Sequence, residues 1–213
     1  MPFEYYNIQE KERCRKENCS YNNEEEFNKC GAYCFLKRMD EALKKITDEK
    51  VLDLISSLKE EYMDTWNKYP ESGGRGKATG TAFERWVKNT IENQLRIKSG
   101  NNKVELGTES FKFTFNADIV ILDSEEKPKV ILEVKMSAGP QALLFCYGLL
   151  ALSNKIKLGL ITLYEINENC QKILEKIKEK FPQRFGYFCI ETGWSKTIEK
   201  IKSFIENSLK EEK

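Results

Sequence analysis

Three charged residues interrupt two apolar, β-branched runs: Asp118 in FKFTFNADIVIL, and Glu133 and Lys135 in KVILEVKM. A polar, Pro-containing turn separates the runs, which is the pattern of a β-hairpin. Side chains alternate between the two faces of a strand. Parity therefore puts Phe111, Phe113, Phe115, Ala117, Ile119 and Ile121 on one face of the first strand, and Thr114, Asn116 and Asp118 on the other. In the second strand Val130, Leu132 and Val134 share a face, and Ile131, Glu133 and Lys135 take the opposite one. With Ser124 to Lys127 as a four-residue loop, Leu122 pairs with Lys129 and Asp118 with Glu133. Directly opposed Cβ atoms lie roughly 5 Å apart, and two carboxylates that close repel unless a cation lies between them. A divalent metal meets that need, and oxygen ligands suit Mg²⁺. Lys135, on the same face, can orient or deprotonate a water beside the metal. The bland alternative is a surface salt bridge on a solvated sheet face.

The residues Ala117-Asp118 and Glu133-Val134-Lys135, spaced D-x14-E-x-K, resemble the PD-(D/E)XK nuclease superfamily, with alanine where the family name has proline. The resemblance covers roughly residues 80 to 165. It implies an α/β, restriction-endonuclease-like fold: a mixed β-sheet flanked by helices. It also implies phosphodiester hydrolysis with Mg²⁺, for which Mn²⁺ substitutes. On that resemblance Asp118 and Glu133 bind the metal, the carbonyl of Val134 adds a ligand, and Lys135 positions the attacking water or stabilises charge on the phosphate. Glu84, in GTAFERWV on the helix before the first core strand, matches the place of a glutamate that supports a second metal. Thr81-x-x-Glu84 also reads as a capping box at that helix start. Gln141, just past the Glu133 strand, matches a polar position that touches DNA or the attacking water, or else is an amide at a helix start.

Composition narrows the chemistry. The chain has 213 residues, 35 Lys+Arg, 34 Asp+Glu and no histidine, for a net charge of +1. That excludes Ser-His-Asp triads, Cys-His nucleophile pairs, histidine metal ligands and a histidine general base. Cationic residues concentrate between Ser72 and Lys103, where seven Lys or Arg face two acids, Glu84 and Glu92. Such a stretch suits a phosphate backbone or a solvated helix face. Within it, PESGGRGKATG at 70–80 reads as a flexible cationic loop, and Arg75 and Lys77 could close over DNA there. A plain linker is the other reading.

The remaining elements position these residues. Apolar spacing predicts helices over 24–45 and 48–69, then 81–97 with the stripe Phe83, Trp86, Val87, Ile91 and Leu95. A short strand at 103–106 precedes the hairpin, and an almost wholly apolar helix, 141–153, follows it. A strand at 157–164 should run parallel to the Glu133 strand, followed by a helix at 167–181, a strand at 185–190 and a helix at 195–209. The expected division is an N-terminal helical region, 1–75, and a nuclease core, 76–213. Four of the seven cysteines, Cys14, Cys19, Cys30 and Cys34, fall in the first part, spaced C-x4-C and C-x3-C. Four thiolates could hold a structural Zn²⁺ or an iron–sulfur cluster; free or disulfide-linked cysteines are the alternative. No apolar run reaches membrane-spanning length and no signal-peptide segment is visible, so a soluble, cytoplasmic protein is expected. The expected function is a type II restriction endonuclease cutting double-stranded DNA as a homodimer. The alternatives are a junction-resolvase-like repair nuclease and a non-catalytic DNA-binding protein.

Overall fold

The computed structural model describes residues 31–64, 72–97, 99–100, 102–108 and 111–210, with backbone only at 31–35, 72–77, 108 and 111. Contacts divide the chain into two compact units after Ala82, where the sequence suggested a boundary at 75. In the first unit α1 (Gly31–Lys45) and α2 (Glu49–Asp64) pack together. Leu36, Met39 and Ala42 bury the inner face of α1, and Val51, Leu54, Ile55, Leu58 and Tyr62 that of α2. Asp48 caps α2, its Oδ1 accepting from the N–H groups of Lys50 (3.1 Å) and Val51 (3.3 Å). The helix expected over 48–69 is seen as Glu49–Asp64, and the remainder of that expectation, 65–69, lies outside the described residues. Cys14, Cys19 and Cys30 lie outside the described residues, as does the side chain of Cys34.

Residues 72–80 correct the loop reading. They are helical, and α3 runs unbroken from Ser72 to Leu95. Each helical glycine costs about 1 kcal/mol relative to alanine. The cost is offset downstream, where Phe83, Val87 and Ile91 are fully buried on one stripe. Arg75 and Lys77 are therefore helical residues rather than loop residues. Thr81 sits well inside the helix, where the Glu84 N–H bonds to a carbonyl one turn back, so no capping box forms there.

The second unit is built on β-structure. A two-stranded antiparallel ribbon, β1 (Lys103–Thr108) and β2 (Phe111–Asn116), precedes a four-stranded sheet. That sheet has the order β3 (Ile119–Leu122), β4 (Pro128–Lys135), β5 (Lys157–Thr162), β6 (Phe185–Cys189). β3 pairs antiparallel to β4, while β5 and β6 run parallel. One face carries α4 (Pro140–Leu152) and α5 (Glu168–Lys180) over a core that includes Ile131, Leu143, Cys146, Leu158, Leu160 and Leu174. The opposite face carries α6 (Trp194–Lys210), whose Phe204 meets Phe188 of β6 edge-on at 5.5 Å. Gly159 belongs to that face: a Cβ there would lie 2.6 Å from Leu132 and 3.1 Å from Phe188. Among the described residues, six α-helices and a mixed sheet flanked by helices make an α/β architecture, and no helix is long and apolar enough to cross a membrane.

The continuous first strand of the hairpin is also corrected. Phe111 to Leu122 breaks at Ala117-Asp118, and β2 leaves for the separate ribbon. Phe113, Phe115, Ala117 and then Val120 all pack in the α4-side core, so the alternation slips by one position at the break. The cause is a change of partner. The Ala117 N–H donates to the carbonyl of Asn102 at 2.8 Å, outside either ladder. The turn differs as well: a bulge pairs Leu122 with Pro128 rather than Lys129. The Ile119–Leu132 pairing, taken one step further, still sets Asp118 beside Glu133.

Candidate active site

Glu133 and Lys135 end β4 on the face that Ile131 shares with the α4-side core. Asp118 is the residue by which the chain enters β3. The three side chains meet. The Lys135 ammonium donates to Asp118 Oδ2 at 2.6 Å and to Glu133 Oε2 at 3.0 Å. Asp118 Oδ2 also accepts from the N–H of Val134 at 2.7 Å. The Lys135 carbonyl accepts from Leu163 at 3.2 Å, on the β5 side. Backbone groups alternate sides along a strand, so the Val134 N–H and carbonyl both face the Asp118 side.

This ion pair is not on a solvated face. Glu133 is 4% exposed, covered from the side of α4, whereas the Lys135 side chain is 37% exposed and marks the open side of the cluster. Burial, and then the charge of Asp118, push the Glu133 carboxyl from 4.5 up to about 7 against the pull of Lys135. The ammonium of Lys135 is disfavoured by burial, but Glu133 and Asp118 outweigh that and raise its pKa. Glu133 Oε1 is buried and has no hydrogen-bond partner among the described residues. A buried carboxylate oxygen left in this state is costly, and a cation would satisfy it. Two carboxylates, one orphaned oxygen and a carbonyl facing the same way form an all-oxygen set that suits a hard divalent ion.

The other expected site residues stand further off. Glu84, on α3, feels the charges of Asp118 and Lys135, and its pKa is raised by burial first and by Asp118 second. Among the described residues no group of three His, Cys, Asp or Glu side chains that could hold a metal is present. Gln141 is exposed on the first turn of α4. The side chains of Arg75 and Lys77 lie outside the described residues.

Two residues that matter here carried no signal in the sequence. Asn102 brackets the break: its carbonyl accepts from Ala117, and its side-chain amide donates to the Asp118 carbonyl at 3.2 Å. Cys146 faces the sheet from α4, and its thiol is pushed up to about 12, by burial first and by the charge of Glu133 second. It is an inert neighbour of the carboxylates, not a nucleophile. No protein-family model and no curated protein matches the chain.

Proposed function

We propose that the protein is a Mg²⁺-dependent DNA endonuclease of the PD-(D/E)XK, restriction-endonuclease-like kind, cutting double-stranded DNA at specific sites as a homodimer. The observation that carries this reading is the Asp118–Lys135–Glu133 cluster, in which a nearly buried carboxylate keeps one oxygen orphaned. Asp118, Glu133 and the Val134 carbonyl would hold the ion, and Mn²⁺ would replace Mg²⁺. When bound, the metal supplies Lewis-acid polarisation of the phosphate and a lowered pKa for water.

The chain's own groups do the rest. Glu133 shares its proton about equally with solvent near neutral pH, so ligation requires that proton to leave. Lys135 now spends its charge on the two carboxylates. Once those carboxylates serve as ligands, its ammonium is available to a phosphate oxygen. There it orients the attacking water or stabilises the negative charge that develops in the transition state. Glu84 would support a second metal, and Gln141 would meet DNA or the water from the start of α4. Cutting both strands requires two such sites, hence the dimer.

The test is digestion of a long, defined linear DNA with Mg²⁺, followed by sequencing of the ends. Discrete fragments with 5′-phosphate and 3′-hydroxyl termini support restriction. Cleavage of a four-way junction, with linear duplex left intact, supports a resolvase-like nuclease instead. If no DNA is cut and Glu133→Ala binds DNA as the wild type does, the protein is a DNA-binding protein without catalysis.

A further inference from the structure

α4 carries no charged residue in its 13 positions, in a chain that is 32% charged. Its inner face, Leu143, Cys146, Leu149 and Leu150, belongs to the core beneath it. Its outer face is apolar as well. Leu144 is 60% exposed, Phe145 37% and Leu152 43%, with Gly148 half-buried and Ala151 exposed between them. At about 100° per residue these five positions span about 120° of the helix, one continuous stripe. The stripe carries on sideways to the ribbon: Phe145 meets Phe115 of β2 edge-on at 5.6 Å, and Phe115 stacks on Phe113 at 5.7 Å. Gly148 is an independent observation. It lies inside the helix, where glycine is less favourable than alanine. The packing of the described residues does not call for it, since a Cβ there would meet no atom within 4 Å. A position without a side chain, open on its outer side, lets a second backbone come close.

We infer that this face of α4 binds a second copy of the chain, the two α4 helices packing antiparallel about a two-fold axis at Gly148. The sequence of the stripe is self-complementary about that point. Leu144 and Leu152 stand four positions either side of Gly148, and Phe145 and Ala151 three either side. An axis at Gly148 sets Leu144 against the partner's Leu152 and the large Phe145 against the partner's Ala151. The glycines then meet where the helices cross. Charge points the same way: α4 offers no ion to a charged partner, whereas an identical uncharged face leaves no charge unpaired. The area sets the strength. At about 180 Å² for a large apolar side chain, Leu144, Phe145 and Leu152 present about 250 Å². Phe113 and Phe115 widen the patch, yet a specific interface takes about 800 Å² from each partner. The association therefore belongs at the weak end, with a dissociation constant on the order of micromolar to tens of micromolar. The inference rests on the homodimer of the proposed nuclease for its purpose, while the interface stands on α4 alone.

Sedimentation velocity of the full chain, without DNA or metal, over about 1 to 200 μM brackets that range and should show a monomer–dimer equilibrium. Leu144→Glu alone and Leu152→Lys alone should each weaken it by about tenfold or more, because each sets charges against leucines. An equimolar mixture of the two variants should dimerise again, since one Glu then faces one Lys across the axis. A variant that had lost its fold would not be rescued in this way. Gly148→Leu should also dissociate the dimer, with the helix content read by circular dichroism unchanged. A wild-type chain that stays monomeric throughout overturns the inference, as do single variants that associate like the wild type or a mixture that remains monomeric. Glu133→Gln should associate as the wild type does. A chain that cuts no DNA yet associates through α4 ends the nuclease reading alone. A chain that cuts DNA while its α4 variants associate like the wild type ends this inference alone.

Discussion

Asp118 and Lys135 lie 17 positions apart in the chain, yet the ammonium of one stands 2.6 Å from Oδ2 of the other, beside a carboxylate that is 4% exposed. The amine occupies the place between two acids where a cation is required, and that relationship sets what each substitution should do.

Lys135→Ala removes the group that would meet the phosphate, while contacts with the rest of the DNA lie elsewhere. Cleavage should fall by about a hundredfold or more, and DNA binding in Ca²⁺ should persist. Asp118→Asn should weaken metal binding, read by titration calorimetry with Mn²⁺. Full cutting activity in either variant contradicts the assignment.

Glu133 should make stability depend on pH. In the fold it keeps its proton up to about pH 7, against an ordinary value of 4.5. Between those values the folded chain binds more protons than the unfolded chain, so stability falls as pH rises, by about 3 kcal/mol over the window. Lys135 acts elsewhere: its raised pKa gives a contribution complete below 10.5 and lost as pH climbs through the folded value. Urea unfolding at pH 5 and pH 8 should show the drop in the wild type, and Glu133→Gln should flatten it. Equal drops in both proteins would remove Glu133 as the cause. For the same reason, Mg²⁺ affinity should rise with pH through about 7.

Asn102→Ala deletes the amide that holds the Asp118 carbonyl. The loss of stability should be about 1 kcal/mol. Because the amide acts through Asp118, the turnover number should fall more than the Michaelis constant rises. A variant that unfolds more easily but turns over at the wild-type rate would make Asn102 structural only.

Gly159→Ala tests the floor beneath the site. Its Cβ would press Leu132 at 2.6 Å, on the strand that bears Glu133 and Lys135. Overpacking of this kind costs about 1–3 kcal/mol. Chemical denaturation should register that loss; no change would mean that Leu132 and Phe188 yield freely.

The sequence by itself determined which side chains share a face of β4. Ile131, Glu133 and Lys135 stand opposite Val130, Leu132 and Val134 because side-chain alternation is a local property of any strand. It also determined that β5 runs parallel to β4, because a long apolar helix separates them. What only the tertiary structure decided depends on partners remote in sequence. The chain breaks at Ala117-Asp118 because Asn102 takes up the backbone there. The glycine-rich stretch at 72–80 is helical because buried residues further along α3 outweigh its local propensity. Glu133 holds its proton to about pH 7 because burial strips its water. Periodicity reports the orientation of a side chain, while desolvation depends on what packs over it, and only the folded chain supplies that cover.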